Sequence, residues 1–368
     1  MKTSHGFDVV WSVAAEPSYQ RDYLRLARPV PFEKDWLVLD RTSLLRVTSS
    51  GGLKARIVCA RAGLWDVPVI VGSHIFTLDL VSGLHKLDPS GAEVGCTKLH
   101  SSPCTGILAV PQSGLWVGVG WTECEVLRID GAGNITARQA VAQEGGLRHD
   151  LAVAYTQSGQ RRILISTAEG LRSLDVETGT IFKQLSIRSC ISPALPSTRA
   201  PGTAWIVERD ENAGCCLTHF AWSDASENMV TLSSLPLAAE LREATLYPTS
   251  DGGVWLAGTT AIPDEPLTES DQVIVLRVSA SGEVARALLP VGAAVDAAVD
   301  ASDRLWVGVN SDEPPAGLPE GYLAVLDGAA ELYAQWEPAH GGVGRSCFLS
   351  ADEAVVCTSA GLQGVRLR

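Results

Sequence analysis

Five carboxylates recur at the heads of short apolar stretches: Asp22 in "RDYLRL", Asp66 in "WDVPVI", Asp150 in "HDLAVA", Glu243 in "REATLY" and Asp296 in "VDAAVD". Carboxylates that converge can hold a hard cation such as Ca²⁺ or Mg²⁺, and Asp66, Asp150, Glu243 and Asp296 are the candidate ligands if a cation is present. Without one, the charges repel and raise each other's pKa. Arg21, Arg148, Arg242 and Arg345 lie beside the set and could neutralise it. The local alternative is that each carboxylate accepts backbone N–H groups and fixes its own turn.

His149, next to Asp150, and His340, in "HGGVGR", are the candidate catalytic bases, with His100 a third. A base of this kind beside a cation could perform β-elimination or open a lactone. A His-Asp pair can equally serve structure by linking strand ends. There is no GxSxG elbow, P-loop or GxGxxG in a nucleotide-binding context, which excludes the chemistry those motifs carry.

Four segments rich in acid follow short apolar runs: "GWTECE", "ERDENAG", "TTAIPDEPLTESDQ" and "NSDEPPAGLPEG". The last two are the longest, and both contain Asp-Glu-Pro, at Asp264-Glu265 and Asp312-Glu313. Long loops on a rigid scaffold are common sites of recognition. Proline and acid also make a solvated, aggregation-resistant spacer, so both readings stay open. As a recognition surface, these loops would steer a cationic partner: a basic peptide, a basic protein patch or a small cation.

The elements that must position these residues repeat. "SDRLWVGVN" (302–310) has relatives in "SGLWVGVG" (113–120), "GGVWLAGTT" (252–260) and "EKDWLVLD" (33–40). Aligned on the tryptophan, the series runs Trp36, Ile75, Trp116, Leu164, Trp205, Trp255, Trp306 and Val355, at intervals of 39, 41, 48, 41, 50, 51 and 49 residues. Each unit holds four short strands, with the anchor on the second and Gly-, Ser- or Asp-rich turns between the third and fourth. A period of this length with four strands predicts an all-β fold, a single β-propeller domain over 1–368. Eight four-stranded blades are expected, or seven if the unit at Ile75 is absorbed by its neighbours. The last unit stops at Arg368 before its outer strand, and "DVVWSVA" (8–14) has no unit of its own. The last blade is therefore expected to consist of 343–368 plus the strand 8–14, which leaves no free sheet edge. Large anchor residues would fill the gaps between adjacent blades.

The phrases "DASDRLWVGV" and "QSGLWVGVG" resemble repeats of the NHL, SMP-30 and streptogramin-lyase type propellers. "DGGVWLAGTT…DQVIVLRVSASGEVARA" is similar to the delta-60-like bacterial propeller repeat. The resemblance covers almost the whole chain and implies architecture. It extends neither to a complete Glu/Asn/Asp metal set nor to a His/Glu catalytic pair.

Bulk properties narrow the partners. Hydrophobic residues make up 46% of the 368, enough for a sizeable core, and charged residues only 19% against roughly 25% in typical domains. A net charge of −13 without a basic cluster argues against nucleic acid and anionic membranes. No apolar run reaches the 18 residues a membrane-spanning helix needs, and the N-terminus falls short of a secretory signal. Nine cysteines without a CxxC pair read as small buried hydrophobes in a reducing cytoplasm rather than metal ligands. The expectation is a cytoplasmic, monomeric, non-enzymatic binding scaffold without a cofactor, recognising a protein, peptide or other cationic ligand through an acidic loop face. The alternative is a metal-assisted lyase or lactonase.

Overall fold

The computed structural model describes residues 6–14, 30–40, 43–58, 64–79, 82–102, 104–120, 124–142, 147–167, 170–183, 190–197, 199–210, 214–222, 229–237, 240–260, 272–289, 293–310, 320–339, 342–348, 352–358 and 361–368. Among them are thirty-two β-strands and no helix. β1 (Phe7–Ala14) opens the chain. β2 (Val30–Phe32), β3 (Asp35–Asp40), β4 (Ser43–Thr48) and β5 (Leu53–Val58) then pair in sequence order as one antiparallel sheet. The same order recurs in β6 (Leu64–Val71), β7 (His74–Asp79), β8 (Gly83–Leu87) and β9 (Glu93–Lys98), and in β10 (Cys104–Val110), β11 (Gly114–Val119), β12 (Cys124–Ile129) and β13 (Ile135–Ala142). It continues with β14 (Leu147–Tyr155), β15 (Arg161–Thr167), β16 (Gly170–Asp175) and β17 (Ile181–Lys183), then β18 (Leu195–Pro196), β19 (Thr203–Asp210), β20 (Gly214–Trp222) and β21 (Met229–Pro236). Two further sheets are β22 (Leu241–Pro248), β23 (Val254–Thr260), β24 (Gln272–Val278), β25 (Val284–Leu289), and β26 (Ala293–Val299), β27 (Leu305–Asn310), β28 (Gly321–Leu326), β29 (Leu332–Trp336). The eighth contains β30 (Val343–Phe348), β31 (Glu353–Thr358) and β32 (Gly361–Leu367), with β1 paired to β32.

The chain is thus an eight-bladed β-propeller in which the N-terminal strand completes the last blade. The unit at Ile75 is a full blade, which rules out the seven-blade count. All eight anchor residues, from Trp36 to Val355, fall on the second strand of a blade. The strand paired with β3 is β2; the expected stretch 21–26 lies outside the described residues.

Two compact units are distinguished, Ile57–Glu240 and Met1–Arg56 with Leu241–Arg368. Within each, strand position sets sequence character. Second and third strands such as "LWVGVN" in β27 and "GYLAVL" in β28 are buried at every position, because sheets pack against both faces. Fourth strands alternate, as in β25, where Val284, Arg286 and Leu288 are exposed between more buried neighbours. In the unit containing the termini, Trp306 packs with Leu323 and Val325 of its own blade and with Val343, Val356 and Val365 of the next. In the other unit, Phe76 and Leu84 pack with Leu115 and Leu127.

The closure of the last blade is specific. β1 runs antiparallel to β32 from Phe7↔Leu367 to Ala14↔Gly361. The Arg368 N–H donates to the Gly6 carbonyl at 2.9 Å, and Arg368 pairs with Asp8. That hydrogen bond from Arg368 holds the Asp8 carboxyl below its ordinary value. Trp11 lies over Gly51 and Gly364. An added Cβ at Gly51, whose φ is +85°, would meet the Trp11 ring at 2.6 Å.

The "DASDRLW" phrase is likewise structural. Buried Asp300 accepts the Ser302 and Arg304 backbone N–H groups at 2.8 and 3.0 Å. It also accepts Arg304 Nε at 2.6 Å and Trp306 Nε1 at 2.9 Å. One carboxylate therefore shapes the hairpin before β27 and fixes the anchor ring.

Candidate functional site

The two acidic insertions, 261–271 and 311–319, lie outside the described residues, and the strands that flank them belong to the unit that contains Leu241–Arg368. β22 and β23 are antiparallel with Leu241 opposite Thr260, and Thr260 is opposite Gln272, so the two residues that flank 261–271 lie at the sheet end where β22 begins. Ala293 opposite Asn310, and Asn310 opposite Gly321, place these two residues likewise beside the start of β26. The described residues that flank both acidic insertions therefore lie where first strands start.

Their bases are pinned. Thr260 Oγ1 accepts the Gln272 N–H at 2.9 Å and lies 3.1 Å from the Gln272 carbonyl, closing the stem of the first loop. Asn310, at the base of the second, is tied to the next blade: its Oδ1 accepts the Val343 N–H at 2.6 Å and its Nδ2 donates to the Val343 carbonyl. One buried amide thus pairs with the first strand of the next blade as a strand backbone would. Gly321 is forced by this clamp, since a Cβ there would meet Gly342 Cα at 2.8 Å and the Asn310 side chain closer still. Ala297 N–H donates to Tyr247 Oη at 2.9 Å, tying β22 to β26. Burial raises the Tyr322 phenol pKa, which keeps this residue at the foot of the loop neutral.

The first-strand residues share a feature that the sequence did not reveal. β6, β10, β14, β22, β26 and β30 each carry a register irregularity near their start, between Trp65/Val69, Cys104/Gly106, Leu147/Leu151, Leu241/Glu243, Ala294/Asp296 and Val343/Ser346. A bulge leaves a residue unpaired and bends the strand. Asp66, His149, Asp150 and Arg345 fall inside these bulges, and Arg242 is the extra residue of its own. Glu243, paired with Thr259 and exposed, and Asp296, paired with Gly308, follow directly after theirs. The side chains of Asp66, His149, Asp150, Arg242, Asp296 and Arg345 lie outside the described residues, as do Asp22, Asp264, Glu265, Asp312, Glu313 and His340 entirely.

His100 is described and is committed to its turn. Its Nδ1 accepts the Ser102 N–H at 2.9 Å, and Nε2 is 3.8 Å from Glu125. Cys104, Cys190, Cys215, Cys216 and Cys357 are buried. Burial pushes the Cys104 thiol up to about 11 and Cys190 to about 12, as expected of hydrophobic filler.

The chain is an eight-bladed propeller in which the described residues flanking 261–271 and 311–319 are held at sheet ends. No protein-family model matches the sequence, and no curated protein matches it. Solved structures align over nearly the full length. Saccharomyces cerevisiae Sqt1 superposes with a TM-score of 0.69 at 9% identity, covering 99% of both chains. BamB from Moraxella catarrhalis does so at 0.66 and 12%, covering 98% of this chain and 100% of that one. Streptogramin B lyase gives 0.56 and 10%, covering 98% and 97%. At these identities the likeness is one of fold.

Proposed function

We propose that the protein is a non-enzymatic binding scaffold that recognises a cationic protein segment or peptide through the loops 261–271 and 311–320. The observation that supports this reading is that the residues flanking both insertions are held at the sheet ends where β22 and β26 start. The first loop brings Asp264, Glu265, Glu269 and Asp271, the second Asp312, Glu313 and Glu320, and neither contains Lys or Arg. Glu243 adds an exposed carboxylate near the start of β22. Such a surface draws positive charge, and attraction between solvated charges is screened over about 8 Å at physiological salt. Exposed pairs give roughly 0.2–1 kcal/mol each, so four neutralised carboxylates together weaken binding by about tenfold. The test is fluorescence anisotropy with a labelled oligolysine peptide against the full chain and the variant Asp264→Asn, Glu265→Gln, Asp312→Asn, Glu313→Gln. Saturable binding that weakens in the variant and with added salt supports the proposal. Equal affinity for both proteins refutes it.

A further inference from the structure

A second cluster lies in the unit Ile57–Glu240. His85 on β8 is buried, and its two ring nitrogens face two carboxylates: Nε2 is 3.0 Å from Asp79 Oδ2 and Nδ1 is 3.0 Å from Glu93 Oε2. Asp79 is itself buried and anchored, since its Oδ1 accepts the Gly83 N–H at 2.6 Å. Gly83 is needed there, because a Cβ would meet Asp79 Oδ2 at 2.5 Å. Exposed Cys96 sits on β9 directly opposite His85. Ligand atoms of His85, Glu93 and Cys96 all lie within 4.8 Å of one another.

A register shift assembles this trio. Glu93 and Cys96 are three residues apart, which in a regular strand points them to opposite faces. The bulge between Lys86 and Leu87 pairs Leu87 with Glu93 and Lys86 with Gly95, which restores Glu93 to the face of Cys96.

A neutral imidazole has one N–H. With that hydrogen on Nε2 and directed to buried Asp79, Nδ1 presents a lone pair on the side of the Glu93 carboxylate, where a cation can bridge the two. We propose that His85 Nδ1, Glu93 and Cys96 Sγ hold one zinc-type divalent cation, with Asp79 orienting the imidazole from behind and a fourth position open to solvent. A mixed N, O and S donor set selects zinc over Ca²⁺ or Mg²⁺. Tetrahedral bonds of about 2.0–2.3 Å place donor atoms about 3.3–3.6 Å apart, so the cluster needs only small rotamer changes. Histidine held by a buried carboxylate on its far nitrogen is the usual outer-shell support for such a ligand. The Cys96 thiol pKa is raised by burial and by the charges of Glu93 and Asp79. A bound cation reverses this bias, and the thiol proton leaves to solvent as the metal–sulfur bond forms.

The test uses the full chain without a histidine tag, stripped with a chelator. Zn²⁺ is titrated in competition with a chromophoric chelator, and Co²⁺ is added to read thiolate-to-metal charge transfer. The expected result is one ion per chain, a cobalt band that vanishes in Cys96→Ser, and zinc affinity at least about tenfold lower in both Cys96→Ser and Glu93→Gln. Both substitutions are at exposed positions, so folding is retained and circular dichroism verifies it. Zn²⁺ is also expected to protect Cys96 from alkylation in peptide mapping. Absence of stoichiometric zinc binding, or binding and a cobalt band unchanged in Cys96→Ser, overturns the proposal.

Discussion

Replacing Trp306 with alanine tests how the blades hold together. The indole is fully buried, sits among Leu323, Val325, Val343, Val356 and Val365, and receives the Phe7 ring edge-on at 5.5 Å and 80°. Deleting a buried aromatic of this kind costs about 3–5 kcal/mol, which for a chain of this length lowers the thermal midpoint by about 5 °C. Trp306→Phe separates two contributions. It keeps most of the apolar contact but loses the 2.9 Å hydrogen bond from Nε1 to Asp300, a bond to a charged group worth about 1.5–3 kcal/mol. The expected order of stability is wild type, then Trp306→Phe, then Trp306→Ala, read by urea denaturation followed by circular dichroism. A loss below about 1 kcal/mol in Trp306→Ala would show that this ring does not knit adjacent blades, and the packing argument for all the anchor residues would fall with it.

Removing residues 1–14 uncovers the edge of β32, takes Trp11 off Gly51 and Gly364, and takes Phe7 off Trp306. Aggregation or a marked drop in melting temperature is expected; an unchanged melting temperature contradicts the closure. His219 stacks on Trp205 with centroids 4.1 Å apart, and burial pulls its pKa below the ordinary value. Between the unfolded value of about 6.5 and the lower folded one, the unfolded chain binds more protons, so stability falls as pH drops through this window. His219→Phe keeps the stack and is expected to flatten that slope in denaturation series from pH 7 to 5; an identical slope refutes the assignment.

Most of the architecture was legible because the anchor strand is buried on both faces and therefore writes the same apolar phrase in each blade. Even Ile75 and Val355, which lack the tryptophan, kept its spacing and fell on second strands. The orphan strand at the chain start was readable because the last unit lacked a partner for β32. What spacing could not supply was register. The first-strand bulges that hold Asp66, Asp150 and Arg345 depend on how strands meet, and no residue type announces them. The same limit hid the cluster at His85: alternation assigns Glu93 and Cys96 to opposite faces, and only the bulge at Lys86/Leu87 brings them together. Asn310 was equally opaque, since a side chain that mimics a strand looks like any loop asparagine.

The claim that most needs testing is that the pinned acidic loops are the recognition surface. Hydrogen–deuterium exchange of the full chain with and without oligolysine locates the contact directly. Protection confined to 259–272 and 310–321 and the adjoining starts of β22 and β26 is the predicted result. Protection elsewhere with these segments unchanged would contradict it.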